Sequence, residues 1–324
     1  MYQIAKENIE KLFELISENQ ELYLADQLNR PTKHVFFPQS ENLYTVKREE
    51  GKLKVDHEDL KDQDFVLFGA KACDLNGMKV LDEVFLSDPV DSYYEARRKH
   101  GTIVVMACNE PEETCFCTAF DIDPAEPGGD VTIWKTESGG YFWKPLTDKG
   151  EALTKVVEAV LKKADADAEK QVEAQQQQIR DIMAKLPYAN LSLEGWTPEA
   201  LDEKFDSELW EELHQACLAC GVCTYTCPTC QCYDIKDYNT GSEALRFRCW
   251  DSCMYSDFTM MAHGNNRTTQ MQRFRQRFMH KLVYFPANHG GKYSCVGCGR
   301  CVAKCPSSLN IVKVIQAFKQ QGGK

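Results

Sequence analysis

The chain has 324 residues, 43% hydrophobic and 27% charged, with 49 acidic against 38 basic side chains and a net charge of −11. That length accommodates two domains, and the acidic balance argues against nucleic acid as a main partner, because phosphate binding needs a basic surface. No apolar run is long enough to span a membrane.

In chain order, a helix is expected over residues 4–18, where Ile9, Leu12, Phe13 and Ile16 recur at helical spacing. Acidic residues interrupt that stretch and no small-residue cleavage site follows it, so it does not read as an export signal and a cytoplasmic location is expected. The apolar run 65–68, ending at Gly69, reads as a buried strand, with a helix after it from about Asp74 to Phe85. A second such strand, 103–106, ends at Ala107 and Cys108. Residues 131–134 and 141–143, joined through Glu137-Ser138-Gly139-Gly140, look like a hairpin. Residues 1–146 are therefore expected to form a mixed α/β domain. Residues 149–186, rich in Ala, Glu, Lys and Gln and free of proline, read as one long solvated helix. Pro198 opens another helix, which delivers Trp210 and Leu213 to Cys217. Residues 147–210 thus read as a helical connector. The fold class is α+β, with residues 211–324 as the last domain.

That last domain carries two cysteine runs, Cys217-x2-Cys220-x2-Cys223-x3-Cys227-Pro228 and Cys295-x2-Cys298-x2-Cys301-x3-Cys305-Pro306. Each is the bacterial ferredoxin spacing: three thiolates close to one [4Fe–4S] cube and a fourth that reaches the other cube. One cube is expected on Cys217, Cys220, Cys223 and Cys305, the other on Cys295, Cys298, Cys301 and Cys227. Zinc sites usually pair C-x2-C units across a longer loop, which is not this pattern. About seventy residues separate the runs, far more than a minimal ferredoxin needs. They hold Arg246, Arg248, Arg267, Arg273, Arg275, Arg277 and Lys281, cations suited to stabilising reduced clusters or pairing with an acidic partner surface. No dinucleotide fingerprint, phosphate loop or H-E-x-x-H pair is present, so no catalytic residue is assigned. His263 and His280 read as packed or surface residues.

The chain has sixteen cysteines, and metal ligation explains them better than disulfides in a reducing compartment. Cys73 and Cys108 each follow an apolar strand, and Cys115-Phe116-Cys117 lies in the loop after the second. Four thiols at the strand ends of one sheet suggest a third cluster. Cys230, Cys232, Cys249 and Cys253 are left unassigned. The stretches Phe68-Gly69-Ala70-Lys71-Ala72-Cys73-Asp74, Cys115-Phe116-Cys117, Cys227-Pro228-Thr229-Cys230-Gln231-Cys232 and Trp250-Asp251-Ser252-Cys253-Met254 carry a family resemblance, which runs from about residue 60 to the C-terminus. The chain resembles the A-type iron–sulfur subunits of anaerobic sulfite reductase and the β subunits of soluble nickel–iron hydrogenases. It is similar also to subunits beside heterodisulfide-reductase-type complexes. The resemblance implies an α/β domain fused to a dicluster ferredoxin domain. It further implies electron relay between a flavoprotein subunit linked to NAD(P)H and a terminal reductase or hydrogenase subunit. An enzyme with its own substrate at an open iron position is the competing expectation.

Overall fold

The computed structural model describes residues 1–322. The strands of its two larger sheets are β1 (Tyr2–Ile4), β2 (Glu21–Leu24), β3 (Ser40–Glu49), β4 (Lys52–His57), β5 (Phe65–Ala70), β6 (Gly101–Met106), β7 (Val131–Lys135), β8 (Tyr141–Pro145), β9 (Lys162–Lys163), β10 (Tyr233–Asn239) and β11 (Glu243–Trp250). The larger sheet has the order β2-β5-β6-β7-β8-β1-β9. From β2 to β7 its neighbours run parallel, and from β7 onward they run antiparallel. The middles of the central strands β5 and β6, residues 65–68 and 103–105, are all Val, Ile, Leu and Phe because a parallel sheet is covered on both faces. Phe65, Leu67, Ile103 and Val105 enter one core, and Val66, Phe68 and Val104 enter another.

The smaller sheet is antiparallel, with the order β10-β11-β3-β4. Its outer pair comes from the stretch between the two ferredoxin runs, and β11 aligns along β3 from Glu243↔Lys47 to Cys249↔Ser40. Trp250 reinforces this join, with its backbone N–H donating to Gln39 O at 2.9 Å and its indole to Phe37 O at 3.1 Å. The unusual length of the stretch between the runs therefore has a structural use. It ties the C-terminal cysteines to residues near the start of the chain.

Two expectations are corrected. Residues 4–18 are not one helix: β1 comes first, then a 3-10 turn at Lys6–Asn8, then the helix Ile9–Asn19 with Leu12 and Ile16 buried. Pairing of β1 between β8 and β9 outweighs local helical preference. The expected helix over 149–186 is also broken. Its first piece, Asp148–Val156, is followed by a 3-10 turn at Glu158–Val160 and by β9, and its second piece is Ala166–Met183. Asp165 caps the second piece by accepting from the N–H groups of Asp167 and Ala168. That helix is not a solvated connector, because Ala168, Val172, Ile179 and Met183 bury one stripe against Trp134, Phe142 and Cys117. No helix among the described residues is long and apolar enough to cross a membrane.

Candidate metal centres

The first ferredoxin run forms a loop with one helical turn, Val222–Tyr225. Cys217, Cys220, Cys223 and Cys305 line a single cavity, so the long-range partner expected from the sequence arrives there. The Ala219 N–H points at Cys217 Sγ, 3.4 Å away, the type of backbone contact that tunes a cluster. Cys220 is exposed and neighbouring Leu218 is 68% exposed, so this cavity lies at the surface. A second cavity is lined by Cys227, Cys295, Cys298 and Cys301. Arg277 lines both. The thiols of each set surround a space. They do not meet at one point, and among the described residues no group of three His, Cys, Asp or Glu is placed to hold a single ion. A cube needs the spread arrangement, since each thiolate binds a different iron.

The charge around these cavities also fits a cluster. Arg277 is 3% exposed and its Nε has no hydrogen-bond partner, although a buried N–H normally has one. Its guanidinium sits beside Cys223 and Cys301, and these thiols raise its pKa against the effect of burial. Lys281, also 3% exposed, donates to Thr229 Oγ1 at 2.8 Å and Ser294 O at 3.0 Å and lies 3.5 Å from Cys227 Sγ. None of these partners is a carboxylate. Burying cations without acids is costly unless an anion accompanies them, and thiolates bound to iron are such anions.

The third thiol set does assemble. The Asp74 carboxylate accepts from the Lys71 N–H at 3.1 Å at the start of the helix Ala72–Phe85, and this puts Cys73 in its first turn just beyond β5. Cys108 follows β6, with its N–H fixed to Pro124 O at 2.9 Å. Cys117 begins the 3-10 turn Cys117–Phe120. Cys73 lies within electrostatic reach of Cys108 and Cys117, and Cys108 is similarly close to Cys115 and Cys117. Burial pushes all four thiols above their ordinary value, Cys117 to about 12. They are inert as free thiols and need a bound cation to ionise.

This set abuts the second cavity. The Phe116 N–H donates to Gly297 O at 2.8 Å, and Cys115 Sγ approaches Cys298 O at 3.8 Å. Arg300 spans the join: it pairs with buried Asp74 at 2.7 Å, sits near both Cys298 and Cys73, and leaves Nη1 without a partner. Gly297 adopts φ +57°, and a Cβ there would stand 2.3 Å from Phe116 O. Gly297→Ala is therefore expected to push the two loops apart. The variant should lose the iron of the second and third sets, about eight atoms per chain, and keep that of the first. Iron and acid-labile sulfide measured after anaerobic purification check this.

The basic residues between the runs divide by role. Arg277 and Lys281 face thiols. Arg248 is enclosed by Glu41 and Asp91, Arg246 pairs with Asp237 at 2.7 Å on the surface, and Arg275 covers the Phe205 ring at 3.6 Å. His263 is exposed, and His280 packs edge-on to Phe285 with its pKa pushed down to about 4, chiefly by burial. Sequence reasoning missed Lys33, whose ammonium lies beside Cys230, and Arg300. Nothing in the sequence around Lys33 marks it as buried.

An α/β part and a ferredoxin-like part that hold thiol sets side by side define an iron–sulfur electron-transfer protein. Residues 216–309 match the family described as a 4Fe-4S dicluster domain, and such a domain holds two [4Fe–4S] clusters, while the remaining cysteines allow a third. The chain is similar to sulfhydrogenase 2 subunit beta of Pyrococcus furiosus, 37% identical over 263 residues that cover 80% of this chain and 75% of the relative. It belongs to the family of iron–sulfur β subunits of hydrogenase-type complexes. No solved structure matches it.

Proposed function

We propose that this chain relays electrons between a flavoprotein subunit that exchanges them with NAD(P)H and a terminal hydrogenase subunit, in a cytoplasmic complex. Cys217, Cys220, Cys223 and Cys305 hold the first cube, Cys227, Cys295, Cys298 and Cys301 the second, and Cys73, Cys108, Cys115 and Cys117 the third. The bound clusters supply one-electron reduction and reoxidation. The observation that carries the reading is the contiguity of the three sets: Arg277 lines the first two cavities, and Arg300 with the Cys115–Cys298 contact joins the second to the third. The surface position of Cys220 and Leu218 supports partner docking at the first set. Arg277, Lys281 and Arg300 hold positive charge beside sulfur and favour the reduced, more negative state.

Anaerobic co-purification from the native host tests this reading. Nickel and flavin in the complex, with this chain brown and carrying about twelve irons or more, are the expected result. A sirohaem partner would move the chain to sulfite reduction, and flavin alone beside heterodisulfide-reductase-like subunits to that class of complex. Colourless, zinc-containing protein would end the relay reading.

A further inference from the structure

Three half-buried cysteines stand outside these sets. Cys230 and Cys232 lie in the loop that leads into β10, and Cys253 follows β11. The Tyr233↔Trp250 strand pair and the Asp251 N–H bond to Cys232 O, 2.9 Å, draw the two loops together. The Cys232 and Cys253 side chains lie beside each other, and Cys230 is within electrostatic reach of Cys253. None of the three lines the cavity of Cys227 and its partners, although Cys230 touches Cys227. Cys249 is different: it sits opposite Asp234 on the strand, near Lys236 and Asp251.

Lys33 supplies a second, independent observation. It is 2% exposed, its ammonium donates to Cys230 O, and it lies 4.1 Å over the Trp250 ring. No carboxylate pairs with it among the described residues. Burial lowers its pKa, and Cys230, Cys227 and Cys232 are the neighbours that oppose that loss of charge. A buried ammonium facing neutral thiols is a costly arrangement, and one facing metal-bound thiolates is a compensated one.

We propose that Cys230, Cys232 and Cys253 hold a fourth iron–sulfur centre, with Lys33 as its buried counter-cation. Binding replaces three S–H bonds by three Fe–S bonds and releases three protons to solvent. In a cube, one iron is then left without a cysteine. The inference rests on assigning the other twelve cysteines to three cubes. That assignment would fail separately, as a reconstituted wild-type count near twelve irons with Cys73 and Cys117 recovered unligated while Cys232 and Cys253 stay protected.

The test uses the full chain reconstituted anaerobically with iron and sulfide. Iron, sulfide and electron paramagnetic resonance spin count are compared among wild type, Cys232→Ala/Cys253→Ala and Lys33→Met. The expected wild-type count is about sixteen irons, falling to about twelve in the double variant with the remaining signals unchanged. Lys33→Met, which keeps every cysteine, should lose or shift the signal that the double variant lacks, and a change confined to the second cube, whose Cys227 also lies near Lys33, overturns the proposal. If the double variant loses all its iron through misfolding, Lys33→Met decides, and an unaltered spectrum there overturns the proposal. A wild-type count near twelve, with Cys232 and Cys253 recovered as alkylated thiols or as a disulfide, also overturns it.

Discussion

Lys281→Met is expected to lower the midpoint potential of the second cube by on the order of 100 mV. The ammonium lies 3.5 Å from Cys227 Sγ, is 3% exposed and has no acid partner among its hydrogen bonds. A unit charge roughly 5 Å from the added electron, at an effective dielectric of about 20, contributes about 3 kcal/mol. With one electron transferred, a tenfold change in equilibrium corresponds to about 59 mV, so this energy is on the order of 100 mV. The sign follows from charge: removing a cation penalises the more negative reduced state, so the potential falls. The substitution also removes the donor to Thr229 Oγ1 and Ser294 O, at a cost of about 1–3 kcal/mol in stability. A redox titration followed by electron paramagnetic resonance reads the shift, with Lys281→Arg retaining most of the original potential. An unchanged potential in Lys281→Met would show that solvent or another cation already neutralises the site.

The sequence marked the thiol sets better than their surroundings, for a physical reason. Cysteine spacing is a local property dictated by the shape of a cube, so both ferredoxin runs and the exchange of their fourth thiols were readable before any fold was known. The neighbouring arrangement of Cys73, Cys108, Cys115 and Cys117 was readable because parallel strands end at a common edge. The charges were not readable in the same way. Among the cations between the runs, Arg248 and Arg277 are alike in sequence, yet one meets Glu41 and Asp91 and the other meets thiols. Lys33 lies almost two hundred residues from Cys230, and only the pairing of β3 with β11 brings its segment there. The broken helix at residues 148–183 failed for a related cause. Composition reported helical preference, but the edge of β1 needed a partner, and Lys162 and Lys163 supply one that also keeps that edge charged.

Arg248→Met is expected to destabilise the protein by about 3–5 kcal/mol, the usual cost of stranding a buried charge. Arg248 is 3% exposed on β11. Its Nε donates to Glu41 Oε2 at 2.6 Å, and Nη1 donates to Asp91. Glu41, on β3, is 7% exposed and is shared with Arg97. Asp91 also caps the helix Ser92–His100 by accepting from the Tyr94 N–H at 2.9 Å. One guanidinium therefore locks the stretch between the cysteine runs onto two separate elements of the α/β part, and Met would leave both carboxylates under-compensated. Adding Glu41→Gln should recover part of the loss, because it removes one of the stranded charges. Anaerobic denaturant unfolding of the cluster-loaded chain measures the single and double variants, and a single-variant loss below about 1 kcal/mol would place the pair in the range of solvated surface bridges instead. The same experiment reaches the metal chemistry. Residues 33–41 and 248–253 meet across this join, so loosening it should expose Lys33 and the thiols of Cys232 and Cys253 before the ferredoxin cavities open. Their faster alkylation in Arg248→Met, with the iron of the two ferredoxin cubes retained, is the order of events expected.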